Sequence, residues 1–156
     1  MIGIVYAIIG AAIASGLAGI GSSIGVARVG RTGAGLVAQD GSQFGSILLF
    51  SALPGSQAVY GMLAAILILQ NTGVLSGAPK AVTPEQGLML LFAGLPVALT
   101  CLASGMFQGY TISSGIQIIA KDKTRTGQVI ILAAMVETFA IFGLLVTILM
   151  INGVKI

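Results

Sequence analysis

One carboxylate stands alone in the most apolar part of this sequence. Glu137 lies in Ala133-Ala134-Met135-Val136-Glu137-Thr138-Phe139-Ala140-Ile141-Phe142-Gly143, near the middle of a long hydrophobic run. Placing an acid at the centre of a bilayer helix costs about 2.5–3.5 kcal/mol on insertion scales, and an apolar residue would pack there as well. Glu137 is therefore expected to be functional. Three more polar residues fall in Leu53-Pro54-Gly55-Ser56-Gln57-Ala58-Val59-Tyr60-Gly61, and Gln108 falls in Met106-Phe107-Gln108-Gly109-Tyr110. Ser56 and Tyr60 are four apart and share a helix face, with Gln57 adjoining. Pro54 has no amide proton, which frees a carbonyl one turn earlier and loosens the local backbone. A carboxylate, two amide oxygens, a hydroxyl and a backbone carbonyl form a hard, all-oxygen cage with one negative charge. That charge suits a monovalent cation. Ca²⁺ or Mg²⁺ would require more carboxylates or retained water, and transition metals prefer ligands this chain lacks. The plainer use of the same side chains is interhelical hydrogen bonding, at about 0.6 kcal/mol per pair in a membrane.

The rest of the composition narrows the chemistry further. The chain of 156 residues has no His and one Cys, so His-based triads, disulfide frameworks and the usual imidazole and thiolate metal sites are absent. Cys101, inside an apolar run, is expected to be a small buried hydrophobe. Hydrophobic residues make up 56% and charged residues 7%, against about 25% charged in a soluble domain. The chain is thus expected to be an all-α membrane protein with no room for a soluble catalytic domain. The string Gly19-Ile20-Gly21-Ser22-Ser23-Ile24-Gly25 is one residue too long at its last spacing for a dinucleotide fingerprint, and no strand precedes it. No Walker-type phosphate loop occurs, so no bound nucleotide and no catalytic site of its own are expected. The net charge of +3 comes from seven basic residues that flank apolar runs rather than forming one face, which argues against nucleic acid.

Four spans must hold the cage together, at about 2–38, 45–70, 86–120 and 127–152. The first and third exceed the hydrocarbon thickness, so their C-terminal ends are expected to project into water. The N-terminal residues enter hydrophobic sequence without a basic leader and are expected to be a retained first helix. Arg28, Arg31, Lys121, Lys123 and Arg125 lie toward the turns near 39–44 and 121–126, whereas only Lys80 and Lys155 lie at the other end. The positive-inside rule then puts those turns in the cytoplasm and both termini outside.

The two halves repeat at a separation of 82 residues: Gly33 with Gly115, Asp40 with Asp122, Gly45 with Gly127, Ala58 with Ala140, Gly61 with Gly143. Two tandem helical hairpins in the same orientation are expected, with 1–75 as the first, 76–85 as a linker broken by Pro79 and Pro84, and 86–156 as the second. The repeat-mate of Glu137 is Gly55, so one carboxylate remains where an intact duplication would carry two. The chain has 23 glycines, roughly twice the ordinary frequency of ~7%, and nine of them lie in the first span. Small residues at three- and four-residue spacing let helices approach closely in lipid, and a ring with these helices as its inner wall is one compact solution.

These features together resemble the duplicated proteolipid subunits, K or c, of V-type rotary ATPases. The segment from Leu53 to Gly61, with Gln108 and Met135-Val136-Glu137-Thr138, is similar to the bacterial sodium-translocating branch. The resemblance implies Na⁺ held by Glu137, Gln57, Gln108, Ser56 and the carbonyl of Leu53, with Tyr60 supporting the glutamate. Ser56 stands where Thr is also familiar, which keeps the hydroxyl and drops a methyl. It also implies a ring of identical copies in the bacterial cell membrane, a stator subunit supplying an arginine, and a central stalk at the cytoplasmic turns. ATP would be hydrolysed in a separate soluble head, and one acid per two hairpins favours pumping over synthesis. Two other functions compete. The same rotor with H⁺ as coupling ion needs only Glu137. A small multidrug or cation exporter also relies on one membrane glutamate, but usually needs aromatic surfaces, and this chain has no Trp and 6% aromatics. A purely structural membrane-assembly role is opposed by the buried acid.

Overall fold

The computed structural model describes residues 1–156 and is entirely helical. Helix α1 runs over Ile2–Gln39 without a break. The second span comprises α2, Phe44–Ala52, a single 3₁₀ turn at Leu53–Gly55, and α3, Ser56–Asn71. The third comprises α4, Pro84–Ala93, and α5, Leu95–Lys121, and the fourth is α6, Thr126–Gly153. All four are long and apolar enough to cross a membrane, the first and third at 38 residues each. At 1.5 Å per residue such a helix is about 57 Å long, well beyond a hydrocarbon core of ~30 Å.

The helix ends follow from local chemistry. Asp40 and Asp122 leave the helical conformation at matching angles, φ −144° and −150°. Each carboxylate then accepts from the backbone N–H and hydroxyl two residues on: Ser42 at 3.1 and 2.6 Å, Thr124 at 3.0 and 2.6 Å. Lys123 reaches from the second turn to Asp40 and Ser42, tying the two turns together. With Lys123 donating to it and Ser42 beside it, the Asp40 carboxyl is held well below the usual carboxylate range. Asp122 is lowered as well, by Thr124 and then Arg125. At the opposite end Thr83 and Gln86 cap α4 reciprocally, at 3.2 and 2.9 Å, with Pro84 at its first position. Gly73 and Gly77 are the only residues with positive φ, +75° and +69°, and they turn the chain out of α3 toward α4.

The duplication is visible in the packing. Gly33 fits against Ile47 and Gly115 against Val129; Gly61 fits against Ala14 and Ala18, and Gly143 against Thr100. Between the hairpins, α1 meets α4 and α5 backbone to backbone. A Cβ on Gly105 would lie 2.6 Å from the Gly21 carbonyl carbon, and one on Gly109 would lie 2.5 Å from the Gly25 Cα. Only glycine permits this approach. Three apolar clusters stack along the bundle. The one nearest the Asp turns is built of large residues, including Phe50, Ile112 and Val129, and the middle one is mostly small: Ala14, Ala18, Ala64, Ala140, with Val97 and the buried Cys101.

The third span differs from its expected form as one continuous helix. It starts at Pro84 and breaks at Gly94, because Pro96 cannot donate to the carbonyl one turn back. The Val97 N–H bonds instead to Thr147 Oγ1 on α6, at 3.1 Å. The outer face of α6 carries Ile131, Met135, Phe139 and Phe142, each more than 60% exposed, as a lipid-facing surface would.

Candidate functional site

The polar residues collect between the large-residue cluster and the alanine-rich one. Their position depends first on the broken second span. Pro54 and the 3₁₀ turn at Leu53–Gly55 open the α-helical ladder, and the Ala58 N–H leaves it to bond with Ser22 Oγ of α1 at 2.8 Å. A neighbouring helix thus supplies an acceptor to an amide just past the break. Beyond the break, α3 starts with Ser56 and Gln57, both facing α5 and α6.

Glu137 sits half-buried at the outer edge of this cluster. Its Oε1 accepts from Ser56 Oγ at 2.7 Å and from the Tyr60 hydroxyl at 2.7 Å, and its Oε2 lies 3.4 Å from Gln108 Nε2. Ser56 Oγ is also 2.8 Å from the Leu53 carbonyl oxygen and 3.4 Å from Gln57 Oε1. Gln57 and Gln108 are fully buried. Gln57 Nε2 donates to Gln108 Oε1 at 3.0 Å and to Ser104 Oγ at 3.2 Å, while Gln108 Nε2 donates to the Ala133 carbonyl at 3.0 Å. All six residues singled out in the sequence, Leu53, Ser56, Gln57, Tyr60, Gln108 and Glu137, therefore meet at one place.

The arrangement leaves an imbalance of protons. Ser56 has one hydroxyl hydrogen and three acceptor oxygens around it. If that hydrogen goes to Leu53, then Ser56 Oγ and Glu137 Oε1 face each other lone pair to lone pair. A cation among these oxygens, or a proton on the carboxylate, removes the conflict. Nowhere does the chain gather three His, Cys, Asp or Glu side chains, so Glu137 supplies the only full negative charge in the cage.

Two participants escaped the sequence reading, Ser22 and Ser104. They are 82 residues apart and so occupy equivalent places in the two hairpins. That match was the available signal, but a serine in a glycine-rich helix looks like a packing residue.

The comparisons with known proteins bear on the family. The family profile for the C-subunit of ATP synthase matches residues 9–68 and again 91–150, two stretches with the same 82-residue offset. The V-type sodium ATPase subunit K of Enterococcus hirae is 40% identical over 149 residues, covering 96% of this chain and 92% of that protein. The A-type ATP synthase subunit K of Methanocaldococcus jannaschii is 40% identical over 146 residues, covering 94% of this chain but 61% of the archaeal protein, so the chain spans about three fifths of that relative's length. The 16 kDa proteolipid of the Homo sapiens V-type proton ATPase is 23% identical over 145 residues, covering 93% and 90%. With both hairpins matched, the chain belongs to the ATP synthase C-subunit family.

Proposed function

We propose that this chain is the membrane rotor subunit of a V-type ATPase and that its coupling ion is Na⁺, bound at Glu137, Gln57, Gln108, Ser56 and the Leu53 carbonyl. The observation that carries the ion assignment is the single Ser56 hydroxyl hydrogen facing three acceptor oxygens. A proton on Glu137 needs one partner; this cage offers five oxygen-bearing groups, the complement of a small monovalent cation stripped of water. The V-type sodium ATPase subunit K named above, 40% identical to this chain, supports the same choice.

Glu137 lies on the helix whose outer face is apolar. An ionised carboxylate there is costly to carry past lipid, whereas one neutralised by Na⁺ is not. In the ring of identical copies, Na⁺ enters from one side at the stator and occupies the cage. Tyr60 and Gln108 hold the two carboxylate oxygens, and the loaded site then turns through the lipid-facing arc. A stator arginine displaces the ion on the return. The turns at Asp40–Gln43 and Asp122–Arg125 are the contact for the central stalk, on the cytoplasmic side, and leave both termini outside. ATP is hydrolysed elsewhere in the complex.

The test is covalent modification of Glu137 by a hydrophobic carbodiimide in purified rings at fixed pH, with Na⁺ as the variable. Protection that saturates with Na⁺ and is not reproduced by K⁺ is expected. Modification that responds to pH alone, unchanged at high Na⁺, overturns the sodium assignment and leaves H⁺ as the coupling ion.

A further inference from the structure

We infer that Ser104 is a positioning residue which fixes the end of the Gln57 amide that faces the cage; the inference rests on the sodium reading above. An amide side chain fits its space equally well in either orientation, so only its partners decide which end is oxygen. Here the decision comes from two groups that cannot turn round, the backbone carbonyls of Ala133 and Val136 on α6. Carbonyl oxygens only accept. The Ala133 carbonyl takes Gln108 Nε2 at 3.0 Å, which leaves Gln108 Oε1 toward Gln57. The Val136 carbonyl takes the Ser104 hydroxyl hydrogen at 3.0 Å, which leaves a Ser104 lone pair toward Gln57. Gln57 thus meets two acceptors on one side and presents its NH₂ to both. Its oxygen is left toward Ser56 and the ion, and Gln108 Oε1 keeps its second lone pair for the same ion.

Without the Ser104 hydroxyl this lock is halved. A buried amide hydrogen loses its acceptor, and the reversed orientation, with NH₂ pointed at Ser56 and Glu137, becomes competitive. A reversed Gln57 removes one oxygen ligand and offers those acceptors hydrogens in place of the ion. Ser104 makes no hydrogen bond to Glu137 or to the Leu53 carbonyl; it acts on the cage through Gln57, with its own hydroxyl anchored on the Val136 carbonyl of α6.

The experiment measures the Na⁺ concentration giving half-protection of Glu137 from carbodiimide, in intact rings of the parent, Ser104→Ala, Ser104→Thr and Thr111→Ala. Thr111 bonds only within its own helix, to the Phe107 carbonyl at 3.0 Å, and is the matched hydroxyl deletion. Ser104 borders a groove with Thr100, Phe107, Val136 and Phe139, which gives the added methyl of Thr room. Ser104→Ala is expected to need about tenfold more Na⁺, the scale of one orphaned buried polar group. Ser104→Thr and Thr111→Ala are expected to remain near the parent. If Ser104→Ala does not assemble, Ser104→Cys keeps the connectivity of the side chain with a larger atom and a much weaker hydrogen-bonding group and is expected to show the same shift. A parent curve with no Na⁺ protection refutes the sodium reading itself. A protected parent with a coincident Ser104→Ala curve refutes the role of Ser104 alone, as does a Thr variant displaced as far as Ala.

Discussion

Ser56 offers the sharpest test of the cage, because its hydroxyl is the smallest group that can be removed from it. In Ser56→Ala the Leu53 carbonyl, Gln57 Oε1 and Glu137 Oε1 keep their places but lose the oxygen at 2.8, 3.4 and 2.7 Å from each. A bound cation loses one of five ligands, and the carboxylate loses one of two short contacts to Oε1, with Tyr60 remaining. Interactions of this kind with a charged group contribute about 1.5–3 kcal/mol, which at ~1.4 kcal/mol per decade predicts an affinity loss of roughly one to two orders of magnitude. Equilibrium binding of ²²Na⁺ to purified rings reads this directly. Ser56→Thr keeps the hydroxyl and should bind within a few-fold of the parent. Equal Na⁺ affinity in the parent and Ser56→Ala would show that the hydroxyl is a helix-packing group and would refute the cage as drawn.

Two further predictions concern the framework. Gly105→Val puts side-chain atoms into the Gly21 backbone, which cannot yield without separating α1 from α5, so a cost of about 1–3 kcal/mol or more is expected; thermal dissociation of rings should fall sharply, while Gly153→Ala, with open space around its Cβ, should leave it unchanged. The lowered Asp40 carboxyl gives a pH prediction: a group whose folded value is depressed contributes above its unfolded value of about 3.9 and loses that contribution only in stronger acid. The Lys123–Asp40 tie between the turns should therefore survive acidification through pH 4, read from the Asp40 carboxyl carbon shift in solid-state NMR; titration in the ordinary carboxylate range would contradict the pairing.

How much of this was legible in advance depends on what each residue costs. Glu137 stood out in the sequence because an acid in lipid is expensive to place, and the structure sets it among the other polar residues singled out. The two glutamines and Ser56 were legible because they lie at the same depth as that acid. The turns were legible because Asp40 and Asp122 recur at a fixed separation, and both are caps in the structure. The break at Gly94 was missed although Pro96 signals it, since hydropathy runs straight through Leu95-Pro96-Val97; what the sequence does not show is that the Val97 amide goes to Thr147. Nor was the register between the hairpins legible. Repeat-mates are 82 apart, but the glycines that face each other, such as Gly21 and Gly105 or Gly25 and Gly109, are 84 apart. Helix packing, not duplication, sets that offset. Ser22 and Ser104 were hidden for a related reason: their hydroxyls act on amides belonging to other helices, and nothing in their own neighbourhood announces it.

The claim on which everything turns is that Glu137 carries the ion. ATP-driven ²²Na⁺ uptake into liposomes containing the whole complex, with Glu137→Gln in every copy of the ring, tests it most directly. Gln is neutral and nearly the same shape, so assembly should persist while uptake falls to the level of ATP-free controls. Sodium uptake at the parent rate in that variant would contradict the account.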